Sequence, residues 1–160
     1  METCHFVPQQ HLQAVLYLYR KAVSTLDDNL YNFQQRHAWE AWGHDSQRAG
    51  KLLAQGVTLL ALSDGQLTGF VQRWPEDCIN MLYVDPAYSR QGIATALVSL
   101  MEDQARLAGV ELLHTRASKA SQPLFQRRGF SAKQQEWVRT QGVSLPRMHM
   151  VKVLTTEKRP

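Results

Sequence analysis

The chain has 160 residues, of which 44% are hydrophobic and 20% are charged, and its formal net charge is +4. This size and balance fit one soluble globular domain with its own core, and they exclude a disordered or fibrous chain. No apolar run reaches membrane-spanning length and the N-terminus lacks the pattern of a secretion signal, so we expect a cytoplasmic protein that does not bind membranes. Cys4 and Cys78 have no metal-ligand spacing, so we expect reduced thiols and no metal site.

The positive charge is concentrated at the C-terminal end of the sequence. From Arg116 onward there are ten Lys or Arg residues and two acidic residues, a net +8, which leaves −4 for the first 115 residues. A basic end favours an anionic partner, either nucleic acid or the phosphates of a cofactor. The sequence contains no aromatic-interleaved RNA-binding motif and no helix-turn-helix pattern, which makes nucleic acid the less favoured partner.

The first third of the chain predicts one strand and helices. Residues 3–7 form a candidate strand, and Pro8 introduces a helix with an apolar stripe at helical spacing. The segment 30–42 is rich in aromatic residues, which either pack in the core or form one wall of a substrate pocket. Asp45 or Ser46 can cap a further short helix.

The central part predicts strands around one long helix. Apolar runs bounded by turn residues predict four strands, Val57–Leu62, Gln66–Trp74, Cys78–Val84 and Val110–Thr115. The first three are joined by short turns and should be antiparallel neighbours. A helix between Gly92 and Gly109 separates the last two strands, which should therefore run parallel.

The C-terminal part predicts a short helix opened by Ser121 and closed by Gly129, followed by a hairpin of Phe130–Arg139 and Val143–Leu154. The fold class is therefore α+β (mixed α/β), with a central, mostly antiparallel twisted sheet of about seven strands. One strand-helix-strand unit in it is parallel, and four to five helices flank it. We expect a single domain over residues 1–154 and a short solvated tail at 155–160.

The stretch from Cys78 to Leu107 is a strand, a glycine-containing loop and a helix. Its apolar residues change to helical spacing after the loop and predict one buried helix face, consisting of Ile93, Leu97, Leu100, Met101, Gln104 and Ala108, with Glu102, Asp103 and Arg106 elsewhere. Such a unit directs the unpaired N–H groups of the loop and the positive end of the helix at one point. That point suits a phosphate, and Gly92 lets the backbone come close to it.

The residues of this stretch resemble a known family. Leu82-Tyr83-Val84 followed by Ser89-Arg90-Gln91-Gly92-Ile93-Ala94 is similar to the acetyl-CoA loop of the GNAT acetyltransferase superfamily, Arg/Gln-x-x-Gly-x-Gly/Ala after an apolar-x-Val strand. Ser89 stands where the family usually has Arg or Gln. The segment ASKASQPLFQRRGF resembles the second family marker, with Ser118 at its polar position and Phe125 at an aromatic position that is often Tyr. Gln35 and Trp39 are similar to a Gln-x-x-x-Trp pattern of a small uncharacterised bacterial branch.

The resemblance implies transfer of an acetyl group from acetyl-CoA to a primary amine of a small molecule or peptide, by direct attack in a ternary complex. The implied contacts to acetyl-CoA are Leu82, Tyr83, Val84, Ser89, Arg90, Gln91, Gly92, Ile93, Ala94, Thr95, Ser118 and Phe125. In that mechanism the N–H of Leu82 or Val84 polarises the thioester carbonyl. Terminal hairpins of this fold often pair two chains, which suggests a homodimer.

The proton carriers of the reaction are not assigned by the resemblance. The strand positions of the family's base hold Cys78 and Asn80, of which the amide cannot take a proton and the buried thiol should stay neutral. Phe125 has no proton to donate. The candidate catalytic residues are Tyr83, beside the acetyl site, His114, at the end of the following strand, and Asn80 by position, with a water relay as the alternative.

The acceptor should meet the aromatic segment, the Arg73-Trp74 turn and the terminal hairpin, and the candidate substrate-binding residues are Tyr31, His37, Trp39, Arg73 and Trp74. His37 could also act as a base from the substrate side. Two other functions stay open. The missing Tyr and base fit a non-catalytic acyl-CoA-binding or sensor module, and the basic end fits an RNA-directed acetyltransferase.

Overall fold

A seven-stranded sheet organises the chain in a computed structural model that describes residues 1–154. The strands are β1 (Glu2–His5), β2 (Val57–Ser63), β3 (Gln66–Arg73), β4 (Cys78–Val84), β5 (Leu112–Ala117), β6 (Ser131–Thr140) and β7 (Val143–Val153). They lie in the order β1-β2-β3-β4-β5-β7-β6, and every neighbouring pair is antiparallel except β4 with β5. The predicted fold class is confirmed. The tail at 155–160 lies outside the described residues, and the single domain over 1–154 stays a prediction.

Five α-helices flank this sheet within residues 1–154: α1 (Pro8–Ser24), α2 (Phe33–Glu40), α3 (Ser46–Leu53), α4 (Ile93–Leu107) and α5 (Gln122–Arg127). Local chemistry fixes where they begin. Pro8 occupies the first turn of α1, where its missing N–H costs nothing. Asn32 and Gln35 form a reciprocal capping box at α2, and the Asp45 side chain accepts from the Arg48 N–H at α3.

Two hydrophobic clusters cover the two faces of the sheet. One packs α4 and α5 against β2–β5 and β7, with Leu97, Met101 and Leu113 fully buried. The other packs α1 and α3 against β2–β4, with Leu16 and Phe70 fully buried. The outer half of the second face, over β5, β7 and β6, is packed by the short helix α2, which contacts β7.

The buried face of α4 differs from the prediction at four positions, one of which is charged. Val98, Ala105 and Glu102 are buried, whereas Ala108 is exposed. Glu102 is only 1% exposed because two cations from later elements cover it: Lys152 Nζ lies 2.6 Å from its Oε2 and Arg128 Nη2 lies 3.2 Å from its Oε1. Helical spacing offers only Arg106, whose Nη2 lies 3.8 Å from Glu102 Oε2, because the two closer partners come from distant parts of the chain.

The fifth strand begins two residues later than predicted. After α4, Gly109 takes a left-handed backbone conformation with φ 83°, and the Val110 N–H donates back to the Ala105 carbonyl over 2.9 Å. Val110 therefore closes the helix end instead of starting the strand. No helix of residues 1–154 is long and apolar enough to cross a membrane.

Candidate active site

The parallel pair at the centre of the sheet opens shortly after it begins. β4 and β5 pair only at Cys78 with His114 and at Ile79 with Thr115. Beyond these residues the two strands splay apart, although β4 continues to Val84 and stays paired with β3. The remainder of β4 therefore presents one unpaired backbone edge.

The N–H groups on this edge belong to Leu82 and Val84. The Asp85 N–H donates to the Thr68 carbonyl of β3 over 2.8 Å, and N–H groups alternate sides along a strand. Those of Val84 and Leu82 thus face away from β3, toward the splay. A bulge lies earlier in β4. Ile79 is opposite Arg73 and Met81 is opposite Gln72, so Asn80 is the extra residue of the bulge.

Helix α4 begins beside the point where β4 and β5 separate. Gly92 precedes α4 with φ 79° and offers no side-chain cap, so the first N–H groups of the helix, at Ile93, Ala94 and Thr95, have no partner within it. A Cβ added at Gly92 would meet no atom within 4 Å, so open space lies above this position. The helix dipole adds partial positive charge, and together these features form an anion site.

A cavity of about 750 Å³ connects the splay with this helix start. It is lined by β4 from Ile79 to Val84, by Thr115, Arg116 and Ser118 after the splay, by the loop and first turn of α4, and by Phe125 and Arg127 of α5. The expected acetyl-CoA contacts that line it are Leu82, Tyr83, Val84, Ser89, Arg90, Gly92, Ile93, Ala94, Thr95, Ser118 and Phe125. Gln91 does not line it. The guanidinium groups of Arg90 and Arg127 supply cations, so the donor set fits a long ligand that carries phosphates.

The loop before α4 is fixed by an ion pair. Lys21 Nζ of α1 lies 2.9 Å from Asp85 Oδ1, and the Ala87 N–H also donates to that carboxylate over 2.9 Å. Burial alone would raise the pKa of Asp85, but the Ala87 N–H and the Lys21 ammonium outweigh it, and the pKa lies below its usual range. This contact holds the end of β4 against α1.

Tyr83 occupies the boundary of the cavity on the α1 side of the sheet. Its ring lies edge-on to Tyr19, with 4.8 Å between ring centroids, and the Trp39 Nε1–H donates to its hydroxyl over 3.1 Å. Burial raises the pKa of Tyr83 to about 12. At neutral pH this hydroxyl therefore keeps its proton and can donate it, but it cannot act as a base.

A second cavity, of about 260 Å³, adjoins the first. Its walls are Tyr31, Trp39, Tyr83, Arg116, Ser118, Val138, Thr140, Leu145, Pro146 and Arg147. Four of these residues, Trp39, Tyr83, Arg116 and Ser118, also line the first cavity. The two spaces therefore meet where β4 and β5 splay.

The predicted substrate residues divide into two groups. Tyr31 and Trp39 line the second cavity with their rings 5.3 Å apart edge to face, and the Tyr31 hydroxyl accepts from the Lys119 N–H over 2.8 Å. Burial raises the pKa of Tyr31, so its hydroxyl also stays protonated at neutral pH. His37, Arg73 and Trp74 line neither cavity.

The positions of these three residues have simple causes. His37 lies on the exposed face of α2 and stacks on Phe33, with 5.7 Å between ring centroids. Arg73 ends β3 opposite the beginning of β4, where it is 6% exposed and donates to the Glu76 carbonyl over 2.7 Å. Trp74, 41% exposed, follows it at the same end. The structure gives none of the three a place in the cavity walls.

Asn80 lines the first cavity, but its side chain has a structural partner. Its Nδ2 donates to Gln72 Oε1 over 2.8 Å, and the Gln72 amide in turn donates to the carbonyls of Leu52 and Gln55 at the end of α3. Asn80 is therefore the outer member of a network that joins β4 to α3. The Asn80 amide in this network positions the bulge and cannot act as an acid or a base.

His114 lies on the same face of the sheet as Arg116, outside both cavities. Its ring is parallel to that of His149 on β7, with centroids 5.2 Å apart and Nδ1 2.9 Å from Nε2 of His149. Burial, Arg116 and His114 lower the pKa of His149, so that ring is neutral at pH 7. The pair shares one hydrogen bond, and only one of the two nitrogens in it can carry the proton.

Two other positions, Cys78 and Phe125, offer no group that could take up a proton at neutral pH. Burial raises the pKa of the Cys78 thiol, against the opposing effect of Arg116, so the thiol stays protonated at neutral pH. Phe125 is 2% exposed and packs edge-on against Phe130, with 5.1 Å between centroids. Of the three predicted catalytic residues, Tyr83 borders both cavities, Asn80 borders one and His114 borders neither.

Sequence reasoning missed the charged wall of the second cavity. Arg116 precedes Ser118 by two residues, so strand alternation alone could have placed both on one face. Arg147 and Glu136 lie directly opposite each other on β7 and β6, and Glu136 Oε1 is 3.1 Å from Arg147 Nε and 3.5 Å from Arg116 Nε. This triad could be found only once the register of the hairpin was known.

Comparison with known proteins gives consistent findings. The sequence model described as "Acetyltransferase (GNAT) domain" matches residues 25–152. An uncharacterised N-acetyltransferase of Escherichia coli strain K12, YafP, is 31% identical over 139 residues, which are 86% of this chain and 87% of that protein.

Solved structures agree with these sequence matches. A GCN5-related N-acetyltransferase from Rhodopseudomonas palustris superposes with a TM-score of 0.93 at 27% identity and covers 96% of this chain and 95% of its own. The PaiA N-acetyltransferase of Thermoplasma acidophilum, solved in complex with coenzyme A, has a TM-score of 0.76 at 15% identity and covers 95% of this chain and 98% of its own. At that identity the second likeness shows the fold alone.

Proposed function

Because this chain belongs to the GNAT superfamily of N-acetyltransferases, we propose that it moves an acetyl group from acetyl-CoA to a primary amine of a small molecule or peptide. Attack is direct, in a ternary complex of protein, acetyl-CoA and amine. The observation that carries the proposal is the splay of β4 from β5, where the unpaired N–H groups of Leu82 and Val84 face the junction of two cavities. One cavity suits the acetyl donor and the other suits the acceptor.

In this proposal the first cavity holds acetyl-CoA. The N–H groups at the start of α4, with Arg90 and Arg127, bind its phosphates, and the open space at Gly92 lets them approach the backbone. The free edge of β4 pairs with the extended arm in place of β5. Bound acetyl-CoA supplies the acetyl thioester, whose C–S bond breaks as the amine nitrogen forms an amide.

The chain contributes positioning and electrostatics to this step. The N–H of Leu82 or Val84 donates to the carbonyl oxygen, on which negative charge develops as the nitrogen attacks. The Tyr83 hydroxyl, protonated at neutral pH, borders both cavities and can give a proton to the leaving sulfur. The amine releases its proton to water, since Cys78, Asn80 and Phe125 offer no base at this point.

The experiment that tests the proposal has two parts. Thermal unfolding with and without acetyl-CoA or free CoA measures binding, and a ligand at one hundred times its dissociation constant stabilises by about 2.7 kcal/mol. Release of the CoA thiol over a panel of primary amines then measures turnover. Stabilisation together with amine-dependent thiol release supports acetyl transfer, whereas no stabilisation by either ligand at millimolar concentration contradicts the assignment of the first cavity.

The main alternative is a non-catalytic acyl-CoA-binding or sensor module. It is favoured by Phe125, which leaves α5 without the phenol that the family often has there. Stabilisation by acetyl-CoA without thiol release for any amine would support it. Replacing Tyr83 with Phe separates the two functions, because turnover should fall in an enzyme while acetyl-CoA binding stays.

An RNA-directed acetyltransferase is less favoured because many cations of the basic end have acidic partners. Arg128 and Lys152 contact Glu102, and Arg116 and Arg147 contact Glu136. Loss of salt-dependent RNA binding on neutralising Arg127, which is exposed, would support this alternative. Arg128 is unsuitable for that test because it also covers a buried carboxylate.

A homodimer belongs to the proposal as well. β6 is an edge strand of the sheet, and Trp137 in its middle is 63% exposed. An exposed edge strand with an aromatic residue can pair with a second chain. Light scattering of wild type and Trp137→Lys tests this, and a monomer in both would contradict it.

A further inference from the structure

The second cavity has a charge pattern that restricts what can bind in it. Its walls include two guanidinium groups, from Arg116 and Arg147, and no acidic side chain among the described residues that line it. Glu136 lies behind both arginines and can neutralise only one of them. The wall therefore retains an excess positive charge beside the point where the two cavities meet.

The geometry of Arg147 leaves room for a second carboxylate. Its Nε donates to Glu136 Oε1 over 3.1 Å, and its side chain is 39% exposed. A guanidinium has five N–H donors in a planar fork, so the Nη side remains for another oxyanion. Arg116 Nε is 3.5 Å from the same Glu136 oxygen, and its side chain is 40% exposed, so a ligand carboxylate can lie between the two arginines.

The opposite wall of the cavity is aromatic. Tyr31 and Trp39 pack edge to face, and Tyr83 lies beside Trp39, with 6.4 Å between the ring centroids. These rings suit the apolar body of a ligand, while Tyr83 leads to the acetyl-transfer point. At about 260 Å³ the cavity lies below the ~300–1,000 Å³ of pockets for drug-sized ligands, so the occupant is about the size of an amino acid.

We propose that the acceptor is a small primary amine that carries a carboxylate, such as an amino acid, with the carboxylate bound by Arg147 and Arg116. This inference rests on the proposed acetyl transfer and adds the substrate class to it. The carboxylate orients the molecule so that its amine points past Trp39 toward Tyr83 and the free edge of β4. The arginines thus select the substrate without touching the reacting atoms.

The test compares matched pairs that differ only in the carboxylate: phenylalanine with phenethylamine, lysine with cadaverine, and 4-aminobutyrate with propylamine. With saturating acetyl-CoA, kcat/KM from thiol release should be at least about 10-fold higher for the acid in each pair that reacts. Arg147→Gln should lower the ratio of the two kcat/KM values by about 10- to 100-fold, since a charge-assisted hydrogen bond is lost. Glu136→Gln should raise the ratio, because it frees both arginines.

The control variant is Arg139→Gln. Arg139 is exposed on β6, donates to the Gly142 carbonyl and does not line the cavity, so the ratio should not change. Equal kcat/KM for the two members of every pair, or an equal fall for both in Arg147→Gln, would overturn the carboxylate assignment and leave acetyl transfer standing. Absence of turnover with every amine would overturn both the proposed function and this inference.

Discussion

Replacing Gly92 with aspartate should remove most of the affinity for CoA while the fold is kept. The position has φ 79° and a Cβ there meets no atom within 4 Å, so the new side chain fits without a clash. The backbone strain of a non-glycine residue at positive φ costs about 1–2 kcal/mol, less for Asp and Asn than for bulkier residues. The carboxylate, however, would stand where phosphates are expected to meet the start of α4.

The size of the effect follows from the charges involved. Two unit charges about 4 Å apart repel by about 1 kcal/mol in water and about 4 kcal/mol at an effective dielectric of 20. A penalty of about 2.7 kcal/mol, between these limits, weakens binding about 100-fold. A CoA concentration at one hundred times the wild-type Kd then stabilises the variant by only about 0.4 kcal/mol instead of about 2.7 kcal/mol. For a domain of this size the shift in Tm falls from about 5–11 °C to about 1 °C.

The assay is thermal unfolding with and without CoA, and Gly92→Asn is the matched control. Asn has the same shape and the same backbone strain but no charge, so it should keep most of the CoA-induced shift. If Gly92→Asp keeps the full wild-type shift, CoA does not bind at the start of α4. If Gly92→Asn loses as much of the CoA-induced shift in Tm as Gly92→Asp does, charge repulsion is the wrong explanation.

Three further substitutions have defined outcomes. Phe125→Tyr adds a hydroxyl beside the first cavity and should raise kcat, by up to the ~10²-fold that a general acid contributes, with little loss of stability. Glu102→Gln leaves the partly exposed Arg128 and Lys152 without the carboxylate that pairs with both, and it should lower the free energy of unfolding in urea by about 1–3 kcal/mol, whereas the exposed neighbour Asp103→Asn should change it by less than about 0.5 kcal/mol. Asp85→Asn should flatten the loss of stability in acid, because the pKa of Asp85 is lowered in the folded protein by the Ala87 N–H and Lys21 against the effect of burial.

The direction of the pH effect in Asp85→Asn follows from the linkage between protonation and folding. A carboxylate with a lowered pKa in the folded state contributes stability above its unfolded pKa of about 3.9, and that contribution is lost as the pH falls through the folded value. Unfolding midpoints of wild type and Asp85→Asn should therefore converge below about pH 4. Midpoints that stay equally far apart at pH 7 and pH 3 would contradict this linkage. An unchanged kcat in Phe125→Tyr would contradict the role of a missing acid at that position, and an unchanged free energy of unfolding in Glu102→Gln would contradict the stabilising role of the Glu102 carboxylate.

Much of the fold could be predicted because local signals agree with it. The Cys78–Val84 strand, the start of α1 at Pro8 and the end of α4 before Gly109 match their predictions, since proline, glycine and hydrophobic period act within a few residues. The burial of Glu102 was not predictable in this way. Its partners, Arg128 and Lys152, are brought to it only by the completed sheet.

The residues of the candidate site could be predicted only where they are close together in the sequence. The loop around Gly92 could be found because one continuous stretch carries it, and its residues line the first cavity. The walls of the second cavity come mainly from α2, β5, β6 and β7, so their members depend on strand register. Arg147 was therefore missed, while Arg73 and Trp74, near the site in sequence, lie at the far end of β3.

The most direct test of acetyl-CoA binding at the splay is amide hydrogen exchange, measured residue by residue by NMR with and without acetyl-CoA. The N–H groups of Leu82 and Val84 have no strand partner, so they should exchange fast in the free protein and become protected when the ligand pairs with β4. Those of Ile93–Thr95 should be protected by free CoA as well. Unchanged exchange at Leu82 and Val84 with saturating acetyl-CoA would show that the splay does not hold the acetyl donor.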